Sequence, residues 1–444
     1  MTLTSKVLWA MALGIIVGLI INLGGFNTPD SFTHDYIVGG LFYVVGKLFI
    51  VALKMLVVPL VFFSLLSGVF GIGDISKLGK VGAKSVALYV MTTAIAIAMA
   101  IGLAAVIIPF FSSVSIQSDS AFVVKEAPAL SEVLINIIPD NAFNAFASGN
   151  MLQIIFFTIL LGISLLMVGK KAKSIVESVE VMNEAMMHMV NIVMSVAPYA
   201  VFALLAKAMS ELGLDLLVQL IVYVLVILLA LFLHLFGTLM MILKLFSNLS
   251  PKVFLPKIRD AQIFAFSTSS SNATIPVTLR SVTKRMGVDN SVASFTVPFG
   301  ATINMDGTAI MQGVATVFIA HIYGIELGLS GYLTVILMAV LASIGTAGVP
   351  GVGLITLSMV FVQVGIPVEG IGLILGVDRL LDMVRTAVNI TGDAVVTCIV
   401  AKSENEIDME IFETINNGEV EELELDKEIE KSFAETIHDT ETTH

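Results

Sequence analysis

The chain has 444 residues and a formal net charge of −12, with 57% hydrophobic residues against 13% charged. That charged share is about half of what a soluble domain carries, so the composition excludes an ordinary soluble globular protein and offers no basic surface for nucleic acid. The negative charge sits at one end: residues 403–444 hold fifteen Asp and Glu against two Lys, which leaves the body close to neutral.

About 20 apolar residues cross a bilayer as a helix, and runs of that length recur up to about residue 400. The first, VLWAMALGIIVGLIINLGGF from Val7, looks at first like a secretory leader. It is too long for one and no small-residue cleavage site follows, so it reads as a retained first span. Spans are expected at 6–24, 40–71, 82–111, 150–169, 183–209, 214–245, 291–322 and 367–400. The pattern is that of an all-α polytopic membrane protein, since a β-barrel would show short alternating segments. A single cysteine, Cys398, excludes an intramolecular disulfide and reads as a small apolar residue of the last span.

Basic residues gather in alternate loops: Lys77, Lys80 and Lys84; Lys170, Lys171 and Lys173; Lys252, Lys257 and Arg259; then Arg280, Lys284 and Arg285. The other loops carry Asp30, Asp35, Glu211, Asp215, Glu326 and Glu369. The positive-inside rule therefore puts both termini in the cytoplasm, in the plasma membrane. Two apolar pieces remain. Residues 254–289 begin and end on the basic side, and residues 330–366 on the acidic side. Each is expected to be a re-entrant hairpin, because STSSSNATIP (Ser267–Pro276) and SIGTAGVPGVG (Ser343–Gly353) put helix breakers at their midpoints. Eight spans plus two hairpins of opposite orientation form an inverted repeat, whose interruptions point to a binding site. The acidic tail is expected to be solvated, with a short amphipathic helix around Ile407–Ile415.

The last span contains DMVRTAVNITGD (Asp382–Asp393). On a helix, Asp382, Arg385, Thr386, Asn389 and Asp393 share one stripe about 100° wide. Three charges facing lipid would cost on the order of 8–10 kcal/mol on the insertion scale, so they face a cavity, a partner charge or a ligand. In the seventh span, ATINMDGTAIMQG (Ala301–Gly313) places Asn304, Asp306, Thr308 and Gln312 in an apolar run, and Gly307 invites local unwinding. Carboxylate and amide oxygens with freed carbonyls are what a hard cation needs. A third polar spot is YVMTTA (Tyr89–Ala94) in the third span.

SSSNATIPVT, NMDGT, SIGTAGVPG and DMVRTAVNITGD, in this order, resemble the dicarboxylate/amino acid:cation symporter family, the sodium-coupled glutamate/aspartate transporters. The resemblance runs from the first span to about Lys402. It implies a homotrimer in the lipid bilayer and an elevator-type alternating-access mechanism. Residues 1–71 and 113–209 would form a scaffold, and 72–112 and 210–402 a transport domain. Residues 403–444 would be the cytoplasmic tail. Asp382 would accept the substrate ammonium, Asn389 the α-carboxylate with backbone near Ser271, and Arg385 the side-chain carboxylate with Thr308 assisting. Val349 and Thr386 would complete the substrate pocket. Sodium, the coupling ion, would bind at Gly300, Asn304, Asn389 and Asp393. A second sodium would use Thr302, Met305, Ser343, Ile344 and Thr346, and a third Tyr89, Thr92, Thr93, Asn304 and Asp306.

Arg385 together with Asp382 favours an acidic amino acid, aspartate or glutamate, because neutral amino acid members resemble this pattern without the arginine and C4-dicarboxylate members without the aspartate. Members of the amino acid branch often carry a second arginine where this chain has Ser269 or Met383, and a small serine where it has Asn272. Proton coupling, a neutral amino acid and a C4-dicarboxylate stand as the alternatives. A channel would need a continuous polar path, whereas these polar residues cluster at depth. An enzyme is not expected: Lys47, Lys54, His188, His234 and His321 are the spare ionisable groups, with no metal spacing or nucleophile–base pairing among them. The two lysines read as snorkelling or facing a domain interface.

Overall fold

The computed structural model of the protein describes residues 3–71, 80–111, 135, 137–344, 348 and 350–414. The expected Thr346 and Val349 and the tail beyond residue 414 lie outside them. Within them the chain is helical, and the only β pairing is a single bridge between Val288 and Ile407. Six helical stretches are long and apolar enough to cross a membrane, among the described residues.

Helix α1 (Leu3–Leu23) is followed by a π-helical turn, Thr33–Phe42, that runs into α2 (Tyr43–Gly71). Then come α3 (Lys80–Phe111), α4 (Met151–Val168), α5 (Lys173–Ser195) and α6 (Ala197–Phe232). The span expected at 183–209 straddles two helices: the chain kinks at Val196, just before Pro198, which cannot donate a helical hydrogen bond. Helix α6 breaks again at Gly213, whose φ of 63° favours glycine. A Cβ there would sit 2.7 Å from the Asn22 side-chain oxygen, and Asn22 donates to the Ser210 carbonyl at 3.0 Å. The end of α1 is thereby stapled to the break.

A second π-helical turn, Leu233–Leu239, leads to α7 (Met240–Ser247), then α8 (Pro251–Thr268) and α9 (Ser271–Arg280). Next are α10 (Asn290–Ile303), α11 (Asp306–Ile322), α12 (Gly328–Ser343), α13 (Val352–Gln363) and the 34-residue α14 (Ile371–Glu404). Helices α8 and α9 pack together around Ser269–Ser270, and α12 and α13 pack together around the Gly-rich segment before Val352. The two tips touch: Asn272 N–H donates to the Gly348 carbonyl at 3.1 Å and the Ser270 hydroxyl at 2.8 Å. The expected 291–322 run divides into α10 and α11, because Asn304 and Met305 leave the helical region of backbone space.

Helix α1 packs along α6, α2 against α4 and α5, α3 along α11, and α8 and α10 along α14. Helices α11 and α14 are buried along most of their length. The outer helices expose apolar side chains instead, such as Leu13, Ile16 and Ile20 on α1 and Leu160, Ile163 and Met167 on α4. Such a surface suits lipid and would be a liability in water. Lys47 and Lys54 in α2 are paired rather than free: Glu369, just before α14, lies 2.6 Å from the first and 3.7 Å from the second.

The described start of the acidic tail is packed against the body, where solvated chain was expected. Asn405–Thr414 folds back, with a helix at Met409–Glu413, inside the segment where a short helix was anticipated. Phe412 is buried, and Lys257 lies over its ring while donating to the carbonyls of Arg285, Ile411 and Phe412. Acidic composition concealed this anchor, because one aromatic side chain carries it.

Candidate functional site

The charged stripe of α14 faces inward as its periodicity requires. Arg385 is 0% exposed. Its Nη1 donates to Asp378 at 2.7 Å and its Nη2 to Asp382 at 2.8 Å. A guanidinium held between two carboxylates is the arrangement that makes a buried charge tolerable. Arg385 Nε has no hydrogen-bond partner, which leaves one strong buried donor over. Sequence reasoning missed Asp378. The signal was available, since Asp378 lies seven residues before Arg385 and four before Asp382, extending the same stripe by about one turn.

Asp382 also reaches another element. Its Oδ2 accepts from Gly351 N–H at 3.3 Å, so the tip between α12 and α13 is tied to α14, and Arg379 Nη1 lies 3.7 Å from the same oxygen. Thr308 and Gly353 stand beside Arg385: a Cβ on Gly353 would lie 3.3 Å from Thr308 Cγ2 and 3.5 Å from Arg385 Nη2. Ser271, the first residue of α9, is buried, and a Cβ on Gly348 would lie 3.0 Å from its Cβ. The Thr386 hydroxyl donates to the Asp382 carbonyl within its own helix, the usual fate of threonine in a membrane helix.

Next to this cluster lies a second, made of oxygens. Asn304, in the break between α10 and α11, donates to the Asn389 carbonyl at 3.1 Å and to Asp393 at 2.9 Å. Gly300 packs so close that a Cβ would sit 2.6 Å from both Asp393 Oδ1 and the Tyr89 hydroxyl. Tyr89 donates to the Thr296 carbonyl at 2.9 Å. Asp306 Oδ1 accepts from Thr93 at 2.7 Å and from Thr92 at 3.3 Å. Its Oδ2 lies 3.0 Å from His234 Nε2, a fully buried contact that ties the second π-helical turn to α11. The sequence showed His234 only as a spare ionisable group, because its partner is 72 residues away. Asn389 joins the two clusters, since its side-chain oxygen accepts from Gly307 N–H at 2.7 Å while its Nδ2 points to Met305 Sδ at 3.4 Å.

The expected set of Thr302, Met305, Ser343, Ile344 and Thr346 is brought together less. Thr302 and Ser343 donate to Pro298 and Val340 within their own helices, and Thr346 lies outside the described residues. The nearby tip still reaches this region, because a Cβ on Gly348 would be 2.8 Å from the Ala301 carbonyl. No group of three or more His, Cys, Asp and Glu converges among the described residues. The donors that do converge are hydroxyls, amides, backbone carbonyls and separate carboxylates, a set for a hard cation rather than for a transition metal.

Comparison with known proteins gives consistent matches. Residues 3–403 match the model of the sodium:dicarboxylate symporter family. The chain is 33% identical over 411 residues to the proton/sodium-glutamate symport protein of Bacillus caldotenax, covering 90% of this chain and 95% of that one. It is 34% identical over 418 residues to the proton/glutamate-aspartate symporter of Escherichia coli (strain K12), covering 92% and 94%. It is also 33% identical over 414 residues to the C4-dicarboxylate transport protein of Bacillus subtilis (strain 168), covering 91% and 94%.

Proposed function

The chain belongs to the sodium:dicarboxylate symporter family, and from that premise we propose that it couples inward sodium movement to uptake of an acidic amino acid, L-glutamate or L-aspartate. The family is one of carriers and not of enzymes, and the protein is a multi-pass membrane carrier for an acidic substrate and a cation. The reading rests above all on Arg385: fully buried, held by Asp378 and Asp382, with its Nε donor unpartnered, between the two helix-pair tips and the break in α10–α11.

A substrate side-chain carboxylate takes the place of Asp382 on the guanidinium. The number of charge-assisted bonds to Arg385 is preserved, and Asp378 holds the arginine throughout. Asp382, released from Arg385, accepts the substrate ammonium. Its bond from Gly351 makes occupancy of the site felt at the tip between α12 and α13. Asn389 and backbone near Ser271 take the α-carboxylate, with Thr308 and Thr386 along the pocket wall; Val349, outside the described residues, is assigned to the pocket by the family resemblance alone. Asp382 has no partner in a C4-dicarboxylate, which is why the amino acid reading is preferred although a C4-dicarboxylate carrier is equally similar.

Sodium ions occupy the oxygen clusters around Gly300, Asn304, Asn389 and Asp393, around Tyr89, Thr92, Thr93, Asn304 and Asp306, and, with the tip closed, around Thr302, Met305, Ser343, Ile344 and Thr346. Coupling has a local origin. Asn389 contacts the cation cluster through its carbonyl and serves the substrate through its side chain, so each ligand orders the residue that the other needs. Helices α1, α2, α4, α5 and the first part of α6, several of which pack on one another, serve as the scaffold in this reading and carry the remainder as an elevator; the homotrimer rests on the family resemblance and the cytoplasmic termini on the loop charges.

The test is equilibrium binding to purified protein in sodium. L-Glutamate or L-aspartate binds, while L-alanine and succinate bind at least roughly tenfold more weakly, since each lacks one of the charged partners for Arg385 and Asp382. Succinate binding as tightly as both amino acids removes the ammonium role of Asp382 and moves the reading to a C4-dicarboxylate.

A further inference from the structure

Four ionisable side chains of alternating sign lie within about two turns of α14: Asp378, Arg379, Asp382 and Arg385. Arg385 is engaged with Asp378 and Asp382. Arg379 takes no part in that pairing. Its Nη1 lies 3.7 Å from Asp382 Oδ2, too far for a hydrogen bond but within direct ion-pair range, and its side chain is 19% exposed. It lines a cavity of about 150 Å³ between α14, the Gly351 tip, Val7 of α1, Asn191 and Met194 of α5, and Val201 of α6. Asp378 and Asp382 line the same cavity, so Arg379 shares its small volume with both carboxylates.

The charge balance gives this arginine a consequence. Arg385 shares one positive charge between Asp378 and Asp382, and Arg379 brings the second within ion-pair range of Asp382. With Arg379 present the quartet is neutral before substrate arrives; without it, an anionic substrate meets a net negative site in low-dielectric surroundings. We propose that Arg379 is a specificity-determining residue of the substrate site: it adds no direct contact to the ligand, and it sets the net charge that the ligand must carry by cancelling Asp382. This rests on the acidic amino acid reading above and names a determinant of that reading. A charge a few ångströms away in such surroundings changes affinity by on the order of tenfold per unit, after screening by solvent.

The experiment changes the charge at one position in unit steps and reads one ligand. Purified wild-type protein, Arg379→Lys, Arg379→Gln and Arg379→Glu are titrated with L-glutamate at fixed, saturating sodium. Arg379→Lys stays within about threefold of wild type, Arg379→Gln loses on the order of tenfold, and Arg379→Glu loses a further step of similar size. Raising ionic strength with choline chloride shrinks both steps, because the cavity admits solvent. Lysine as damaging as glutamine means that guanidinium shape and not charge is used, and equal affinity across the series means that Arg379 is a bystander; either overturns the proposal. Wild-type protein that binds no acidic amino acid overturns this proposal together with the function it rests on. Wild-type binding with a flat series overturns this one alone.

Discussion

Replacing Arg385 by cysteine lowers affinity for L-glutamate and L-aspartate by roughly a hundredfold or more, the scale on which a buried charge-assisted pair acts when one partner is truncated. Two effects add. The substrate's side-chain carboxylate loses its only buried guanidinium, and Asp378 and Asp382 lose the cation that both now share at 2.7 and 2.8 Å. The second effect costs stability by about 3–5 kcal/mol, as for other buried pairs deprived of one partner. Binding must therefore be measured on protein shown to be folded, by calorimetry in saturating sodium. The volume left by the side chain, next to Gly353 and Thr308, admits a neutral amino acid, so L-alanine or L-serine competes better in the variant than in wild type. Acidic-substrate affinity within threefold of wild type would falsify the role given to Arg385.

Replacing Asp393 by asparagine raises the sodium concentration needed for half-maximal L-glutamate binding by roughly tenfold or more, from loss of one carboxylate charge at a buried cation. The substitution nearly conserves shape, and the Asn304 amide that donates to Asp393 at 2.9 Å keeps an oxygen to face. The fold should therefore persist while the charge is lost. Glutamate affinity at very high sodium recovers toward wild type, because Asp393 is linked to the substrate through the cation and through Asn304 and Asn389 rather than by contact. The measurement is a set of glutamate titrations across sodium concentrations. Unchanged sodium dependence in the variant contradicts placement of a sodium ion between Asn304, Gly300 and Asp393.

Much of this architecture can be read in the residues. Periodicity on a single helix is a local property, and the Asp382–Asp393 stripe points inward because charge is expensive in lipid. Helix breakers are local too. The chain turns at Ser269–Ser270, where Ser269 takes a φ of 52°, and it unwinds at Asn304–Met305, two residues before the glycine that suggested unwinding. What is hidden depends on partners distant in sequence. His234 against Asp306, Gly351 against Asp382 and Phe412 against Lys257 are pairings that no spacing announces. The kink at Val196 and the break at Gly213 were blurred for another reason: both lie in apolar runs, where hydropathy locates a span but not a bend in it. Asp378 is the one omission that pattern alone could have repaired.

Electrostatics connects these parts. The quartet of Asp378, Arg379, Asp382 and Arg385 on α14 is neutral as it stands, and an acidic amino acid brings a net negative charge into it. A buried site accepts that addition only if a cation accompanies it. The oxygen cluster that Asn389 joins to the stripe provides the place for one, so coupling follows from charge balance as well as from shared residues.

The most direct test is uptake of labelled L-glutamate and L-aspartate by proteoliposomes, with sodium outside compared with choline outside at one pH, and with an imposed proton gradient in the absence of sodium. The account predicts accumulation that needs the inward sodium gradient and is absent in choline. Accumulation driven by the proton gradient and indifferent to sodium would contradict it, and would assign the buried carboxylates at Asp306 and Asp393 to protons instead of sodium.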